Sequence, residues 1–154
     1  MNRKFLWVGR PWAYVIAGCA IVATTILMWS DGAIALWGSM VAFAMGVQPE
    51  ATTTVMAVRT WGDADLHVMV WGATALLLIS ALPTMRARIS GAAILLAWTA
   101  FVELAQPWFT AMRSRQWVDL LGNTIGITGA LCAVLAIHGI AVLIGKRSSV
   151  DAHQ

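Results

Sequence analysis

Four long stretches without charged side chains constrain this chain more than any other feature of its sequence. They cover residues 11–30, 66–85, 89–112 and 120–145, and only Glu103 interrupts the third. A transmembrane α-helix needs about 20 predominantly apolar residues. The composition agrees, because 60% of the residues are hydrophobic and 11% are charged, unlike a soluble domain. We therefore predict an all-α integral membrane protein, a four-helix bundle with helices at about 11–30, 64–84, 89–107 and 118–145.

The sequence indicates a single domain. No repeat or low-complexity tract divides residues 11–145, the predicted transmembrane domain, which lies between an N-terminus of residues 1–10 and a tail of residues 146–154 expected to be disordered. The net charge of +3 comes from Lys and Arg residues scattered beside the apolar stretches, which argues against a nucleic-acid partner. Cys19 and Cys132 lie within apolar stretches, where a cysteine is typically a small buried hydrophobe. We predict no disulfide, no metal and no cofactor.

The distribution of Lys and Arg predicts the orientation, since cytoplasmic loops carry an excess of both. With four spans and the N-terminus inside, seven of these residues are cytoplasmic and three, Arg59, Arg113 and Arg115, are outside. Both termini are therefore predicted to be cytoplasmic, with the first helix as an uncleaved signal anchor. Residues 31–62 are predicted to form an outer loop with one or two helical turns on the membrane surface. Whether residues 32–47 lie on the membrane or re-enter it is left open.

Polar residues at membrane depth are costly and usually functional, and here they gather at the predicted outer ends of three helices. Spacings of three or four residues place each pair on one side of its helix; the pairs are Asp63 with His67, Glu103 with Gln106, and Asp119 with Asn123. Gly122 and Gly126 form a GxxxG pattern, extended by Gly129, and predict a close helix contact. Arg113 and Arg115 stand in the predicted outer loop before the fourth helix, where arginine suits a carboxylate or phosphate ligand.

The same residues, in the same order, resemble the signature of VanZ-like proteins. The resemblance covers about residues 63–129 and rests on Asp63-x-x-x-His67, Glu103-x-x-Gln106, Arg113-Ser114 and Asp119-x-x-x-Asn123-x-x-Gly126. Two positions depart from the family pattern, because Ala64 stands where a lysine is frequent and Gln116 where an acidic residue is frequent. The resemblance implies a small multi-pass protein of the bacterial inner membrane with a shared polar core. The founding members are associated with resistance to the glycopeptide antibiotic teicoplanin.

The favoured hypothesis is that the outer polar residues bind the headgroup of an envelope ligand, with Arg113 holding an anion. The resemblance suggests a lipid carrier, a lipid-linked cell-wall precursor or a glycopeptide as that ligand. Membrane lipids are the expected surroundings. The predicted ligand-binding residues are Asp63, His67, Glu103, Gln106, Arg113, Asp119 and Asn123.

Two other functions fit the sequence. The bundle could be a structural or assembly subunit of a larger complex, contacting other membrane proteins through its Trp-rich and Gly-rich faces. It could also be a membrane hydrolase or transferase, with His67 as general base and Glu103 or Asp119 as acid or orienting partner; no residue is assigned as catalytic. Each polar residue also has a structural interpretation, such as pairing of Glu103 with Arg113 or capping by Asp119. His138, in the inner half of the fourth helix, is assigned no function.

Overall fold

The structure, a computed structural model, describes residues 8–46, 64–110 and 116–151, without the side chains of residues 34, 44, 45 and 145–151. All regular structure in these ranges is helical, so the prediction of an all-α protein is confirmed for them. The helices are α1 (Pro11–Met28), α2 (Ala33–Met45), α3 (Ala64–Ala81), α4 (Met85–Ala105) and α5 (Trp117–Asp151), and a 3₁₀ turn (Gln106–Trp108) follows α4. Asp63, Arg113 and Arg115 lie outside the described residues.

Four helical segments are long and apolar enough to cross a membrane, namely Pro11–Met28, Ala64–Ala81, Met85–Trp108 and Trp117–Ile144. The helix α2 has 13 residues and is about 20 Å long at 1.5 Å per residue, which is shorter than a hydrocarbon core of about 30 Å. The described part of the chain therefore has the composition and helix lengths of a multi-pass membrane protein.

The structure corrects the predictions for the outer loop and the tail. Instead of one or two turns, the predicted loop contains α2, whose 13 residues make about 3.6 turns and end at Gly46 in the left-handed conformation (φ +64°). The tail is also more ordered than predicted, because α5 continues past Gly145 to Asp151. The segment from Lys146 to Asp151 contains neither glycine nor proline, so nothing in it breaks a helix.

The helix α4 begins four residues earlier than predicted, at Met85 rather than at residue 89. Thr84 is its N-cap, with an extended backbone and a side-chain Oγ1 that accepts a hydrogen bond from the Ala87 amide at 3.2 Å. Such a cap satisfies one of the free amides of the first turn. The charged Arg86 and Arg88 therefore lie inside the first turn of the helix and not in the loop before it.

The spanning helices run antiparallel in sequence order, which gives the bundle two chemically different ends. At one end the Gly9 amide, just before α1, donates to the carbonyl of Ala81 at 2.9 Å; we call this the basic end, because Arg10, Arg86 and Arg88 lie there. At the other end α1 and α4 finish and α3 and α5 begin. We call it the polar end.

Helix α3 is the centre of the bundle, because it contacts α1, α4 and α5. Trp71 and Ile79 of α3 are fully buried and pack with Leu95 and Val102 of α4 in the main apolar core. Polar side chains also join the helices. The hydroxyls of Thr24 and Thr74 are 2.8 Å apart, and such bonds satisfy polar groups that lipid leaves without a partner.

Tryptophans supply two further hydrogen bonds, which join α1 and the residue that follows it, Trp29, to α4. Trp98 Nε1 donates to Thr25 Oγ1 at 3.0 Å, and Trp29 Nε1 donates to the carbonyl of Val102 at 3.1 Å.

The predicted burial of the cysteines is wrong, since Cys19 and Cys132 are exposed free thiols. They lie on helices long enough to span a membrane, where a small apolar side chain also suits a lipid-facing position.

Glycines bring α3 and α5 into close contact. A Cβ atom at Gly122 would lie 2.7 Å from the carbonyl oxygen of Ala64, and one at Gly72 would lie 3.4 Å from Gly126 Cα. The predicted GxxxG contact is thus formed by Gly122 and Gly126, with Gly72 of α3 on the opposite side. It does not extend to Gly129, where nothing lies within 4 Å of the Cβ position, because Gly129 lies on an exposed side of α5.

Candidate functional site

Five of the predicted ligand-binding residues come together at the polar end. His67 belongs to the first turn of α3, Glu103 to the last turn of α4, Gln106 to the 3₁₀ turn, and Asp119 and Asn123 to the first two turns of α5. We call these five residues the polar cluster. Asp63 and Arg113, the other two predicted residues, are outside the described ranges, and their roles remain predictions.

The imidazole of His67 lies between groups from two other helices. Its Nδ1 is 2.9 Å from Asn123 Oδ1 and 3.2 Å from Glu103 Oε1. On the other side of the ring, Nε2 is 4.0 Å from Asp119 Oδ2. Asn123 Nδ2 completes the triangle by donating to Glu103 Oε1 at 3.2 Å. One histidine therefore ties α3 to both α4 and α5.

These contacts assign the proton on the His67 ring. Because Asn123 uses its Nδ2 to donate to Glu103, its Oδ1 is the atom that faces His67 and can only accept. Nδ1 of His67 must then carry hydrogen, with Asn123 Oδ1 and Glu103 Oε1 as its two acceptor neighbours. The assignment follows from the hydrogen-bond network. Any gain or loss of a proton by this ring therefore takes place at Nε2, the atom on the Asp119 side.

Gln106 connects the polar cluster to the end of α1. Its Nε2 donates to the carbonyl of Met28 at 3.1 Å, and Met28 is the last residue of α1, whose final carbonyls have no partner within the helix. The backbone carbonyl of Gln106 accepts in turn from Thr110 Oγ1 at 3.1 Å. Beside the turn, the rings of Trp29 and Phe109 stack at 4.3 Å. Gln106 is thus held in a fixed orientation with its Oε1 directed away from Met28.

The polar cluster is almost completely removed from solvent. His67, Gln106 and Asn123 are 0% exposed, Asp119 is 2% exposed and Glu103 is 6% exposed. Two of its acceptor atoms, Glu103 Oε2 and Gln106 Oε1, have no hydrogen-bond partner among the described residues. A buried acceptor without a partner costs about 1–3 kcal/mol. The side chains that the structure describes therefore do not complete this network.

The described part of the polar cluster is acidic. Glu103 and Asp119 supply two carboxyl groups, and His67 is the one side chain among the five that can carry a positive charge. The Lys and Arg residues in the described ranges all lie toward the basic end of the bundle; they are Arg10, Arg86, Arg88, Lys146 and Arg147. Within the described ranges, no group of three or more His, Cys, Asp or Glu residues has an arrangement that could hold a metal ion.

The glycine contact is part of the site's construction. The Cβ position at Gly122 is 3.1 Å from His67 Cβ, so a larger residue there would push the imidazole away from Asn123. Gly72 and the carbonyl of Met28 also contribute to the arrangement, and neither was predicted from the sequence. Gly72 lacks a partner glycine at GxxxG spacing within α3, and a backbone carbonyl has no signature in the sequence.

Comparisons of the chain with protein-family models, with curated proteins and with solved structures give no match.

Proposed function

We propose that this chain is a VanZ-like protein of the bacterial inner membrane whose polar cluster binds the headgroup of an envelope ligand at the outer face. The observation that carries the proposal is a buried network that its own described side chains leave incomplete. Glu103 Oε2 and Gln106 Oε1 are buried without a partner among the described residues. A purely structural network is expected to satisfy its buried acceptors.

The placement of the cluster also supports a functional role. The three helices that contribute to it each have an apolar length suited to a membrane span, and polar groups in such helices are rare and usually mark binding or transport sites. Because Asn123 and Glu103 are joined by a hydrogen bond at 3.2 Å, the cluster is already organised before any ligand binds. Preorganisation of this kind lowers the entropy lost on binding.

The location of basic residues supports the outer face. Arg10, Arg86 and Arg88 lie at the end opposite the polar cluster, and positive residues favour the cytoplasmic side. The resemblance to VanZ-like proteins suggests a lipid carrier, a lipid-linked cell-wall precursor or a glycopeptide as the ligand. It also suggests a role in glycopeptide resistance. Arg113 remains the predicted anion-binding residue of that ligand site.

Equilibrium binding tests the proposal. The purified protein in nanodiscs would be titrated with a polyprenyl phosphate, a lipid-linked cell-wall precursor and teicoplanin, each labelled. Asn123→Ala and Gln106→Ala should weaken binding of at least one of them by about tenfold or more, as expected for a lost hydrogen bond near charged groups. Arg113→Ala should do the same if the ligand carries an anion.

Thr124→Ala is the matched control, since Thr124 adjoins Asn123 but its hydroxyl donates to the carbonyl of Leu120 in its own helix, at 2.8 Å. Unchanged binding of every probe by Asn123→Ala and Gln106→Ala, in variants that keep their helical structure, would refute the proposal. That outcome would favour the structural or assembly role, and purification of the protein as a stoichiometric member of a complex would support it further.

A second candidate function is acid–base catalysis, as in a membrane hydrolase or transferase. The observation that favours it is the His67 ring, which has Glu103 at 3.2 Å from Nδ1 and Asp119 at 4.0 Å from Nε2. With Nδ1 fixed as a donor, Nε2 is the atom that would accept a proton. His67→Gln should then abolish hydrolysis of a bound lipid-linked precursor while changing its binding much less. Equal loss of both would assign His67 to binding alone.

A further inference from the structure

We infer that the basic end binds the phosphate of an anionic phospholipid, with Arg88 as the main binding residue and Arg10 and Arg86 beside it. The inference concerns the end opposite the polar cluster and does not depend on the proposed function. It follows from the contacts of one buried arginine, from the charge of the basic end and from the apolar side chains around it.

Arg88 is a buried cation that bonds to a carbonyl and not to a carboxylate. It is 7% exposed, and its Nε donates to the carbonyl of Leu82 at 3.1 Å. Among the described residues, no carboxylate pairs with it. Its two Nη atoms have no partner among those residues and do not belong to the fully buried polar atoms, so they reach the surface. A buried charge without a counter-charge is unfavourable.

The bond to Leu82 holds the guanidinium in place before any ligand binds. With Nε in use, the N–H groups that remain are those of the two Nη atoms. They form a planar fork that suits the oxygens of a phosphate or a carboxylate. An anion at this fork would supply both the acceptors and the negative charge that the described residues do not bring to Arg88.

Two hydrogen bonds bring a second arginine to the same turn of the chain. The Gly9 amide donates to the carbonyl of Ala81 at 2.9 Å, and Arg88 binds the carbonyl of the next residue, Leu82. Arg10 directly follows Gly9, and its side chain is exposed. The start of α1 and the first turn of α4 therefore each present an arginine beside the end of α3.

The described acidic side chains do not neutralise this end. Arg10, Arg86 and Arg88 belong to it, whereas the acidic side chains that the structure describes lie toward the polar end; they are Asp31, Asp65, Glu103 and Asp119. Both α1 and α4 begin at the basic end, and a helix N-terminus carries a partial positive charge. An anion is therefore the class of ligand that this end attracts.

Apolar side chains beside the arginines favour a membrane lipid as the source of the anion. Met85 and Ile89 are 46% and 51% exposed, and their spacing places them on the same side of α4 as Arg88. Trp12, in the first turn of α1, is 46% exposed, and tryptophan there is typical of the headgroup level. Residues 83–84 are exposed as well. A phosphate can therefore approach Arg88 from the surface, with its acyl chains against the apolar side chains.

The experiment compares two lipids that share a phosphodiester and differ in net charge. The native protein would be placed in nanodiscs of equimolar phosphatidylglycerol and phosphatidylcholine with the same acyl chains. Lipids retained on the protein would be counted by native mass spectrometry. We expect retention of phosphatidylglycerol over phosphatidylcholine by about tenfold or more, as for a hydrogen bond between charged groups. The choline cation neutralises its own phosphate, so that lipid should bind less well.

Substitutions separate a site at Arg88 from a general attraction to positive charge. Arg88→Gln should lower the preference for phosphatidylglycerol by about tenfold, and Arg88→Lys, which keeps the charge without the fork, should lower it less. Arg10→Gln should lower it by about fivefold, the contribution of one arginine near a lipid surface. The matched control is Arg147→Gln, which removes the same charge from the tail of α5 and should keep most of the preference.

Three outcomes would overturn the inference. The first is equal retention of the two lipids by the native protein. The second is an equal effect of Arg88→Gln and Arg147→Gln, because the attraction would then come from net charge alone; should Arg88→Gln fail to fold, Arg10→Gln replaces it in this comparison. The third is displacement of the retained lipid by glycerol phosphate at a similar concentration, which would overturn a lipid source.

Discussion

Gly122 shows how a single residue sets the geometry of the polar cluster. It stands between Asp119 and Asn123 in α5, and its missing side chain lets the backbone of Ala64 and the Cβ of His67 approach. This approach places the His67 ring 2.9 Å from Asn123 Oδ1. A residue usually assigned to helix packing is therefore also a positioning residue for the imidazole.

Gly122→Ala is predicted to destabilise the protein by about 1–3 kcal/mol, the usual range for overpacking, because the new methyl group would lie 2.7 Å from the carbonyl oxygen of Ala64. The measurement is reversible unfolding in mixed micelles, followed by circular dichroism. Gly129→Ala is the matched control on the same helix, since its Cβ position has nothing within 4 Å. It should be neutral or stabilising by up to about 1 kcal/mol. Equal effects of the two substitutions would contradict the close contact.

At the residue scale, the sequence predicted much of the cluster and less of its surroundings. Spacing along each helix was enough to place His67, Glu103 and Asn123 on helix sides that could meet. It could not predict that Gly72 would face Gly126, since that depends on how far each helix is rotated about its axis. Nor could it predict the acceptor of Gln106, a backbone carbonyl on a helix 78 residues away in the chain.

Helix ends are the elements in which sequence and structure differ most. Hydropathy identified all four spanning segments, because each presents a long apolar surface. It placed the start of α4 too late, since Arg86 and Arg88 were assigned to the loop. The decisive signal was Thr84, a capping residue directly after Pro83. Local hydrogen bonding at the cap outweighed the hydropathy of the first turn.

Thr84→Ala is predicted to lower the free energy of unfolding by about 1 kcal/mol, within the 0.5–2 kcal/mol range of lost N-caps. The substitution removes the acceptor of the Ala87 amide, which it contacts at 3.2 Å. Unfolding in mixed micelles measures the change. Thr84→Ser should retain most of the stability because it keeps the hydroxyl. Ser80→Ala is a control for a nearby hydroxyl, which donates to the carbonyl of Leu77 within its own helix. A neutral Thr84→Ala would show that the cap contributes nothing.

At the scale of the whole molecule, the two ends of the bundle differ in charge. The basic end contains Arg88, whose Nε donates to the carbonyl of Leu82 at 3.1 Å, just after the last residue of α3. A cation at a helix C-terminus is favourable for the helix dipole. The polar end has carboxyl groups instead. This asymmetry supports the orientation that the Lys and Arg distribution predicts, with the polar end outside.

Labelling of single cysteines in spheroplasts tests that orientation. In a background of Cys19→Ser and Cys132→Ser, which removes both exposed thiols, Gln116→Cys marks the polar end and Arg86→Cys the basic end; both positions are exposed. A membrane-impermeant maleimide is expected to label Gln116→Cys in intact spheroplasts and Arg86→Cys only after permeabilisation. The reverse pattern would place the polar cluster on the cytoplasmic side. The ligand would then have to come from the inner leaflet or the cytoplasm, which would exclude a glycopeptide acting from outside the cell.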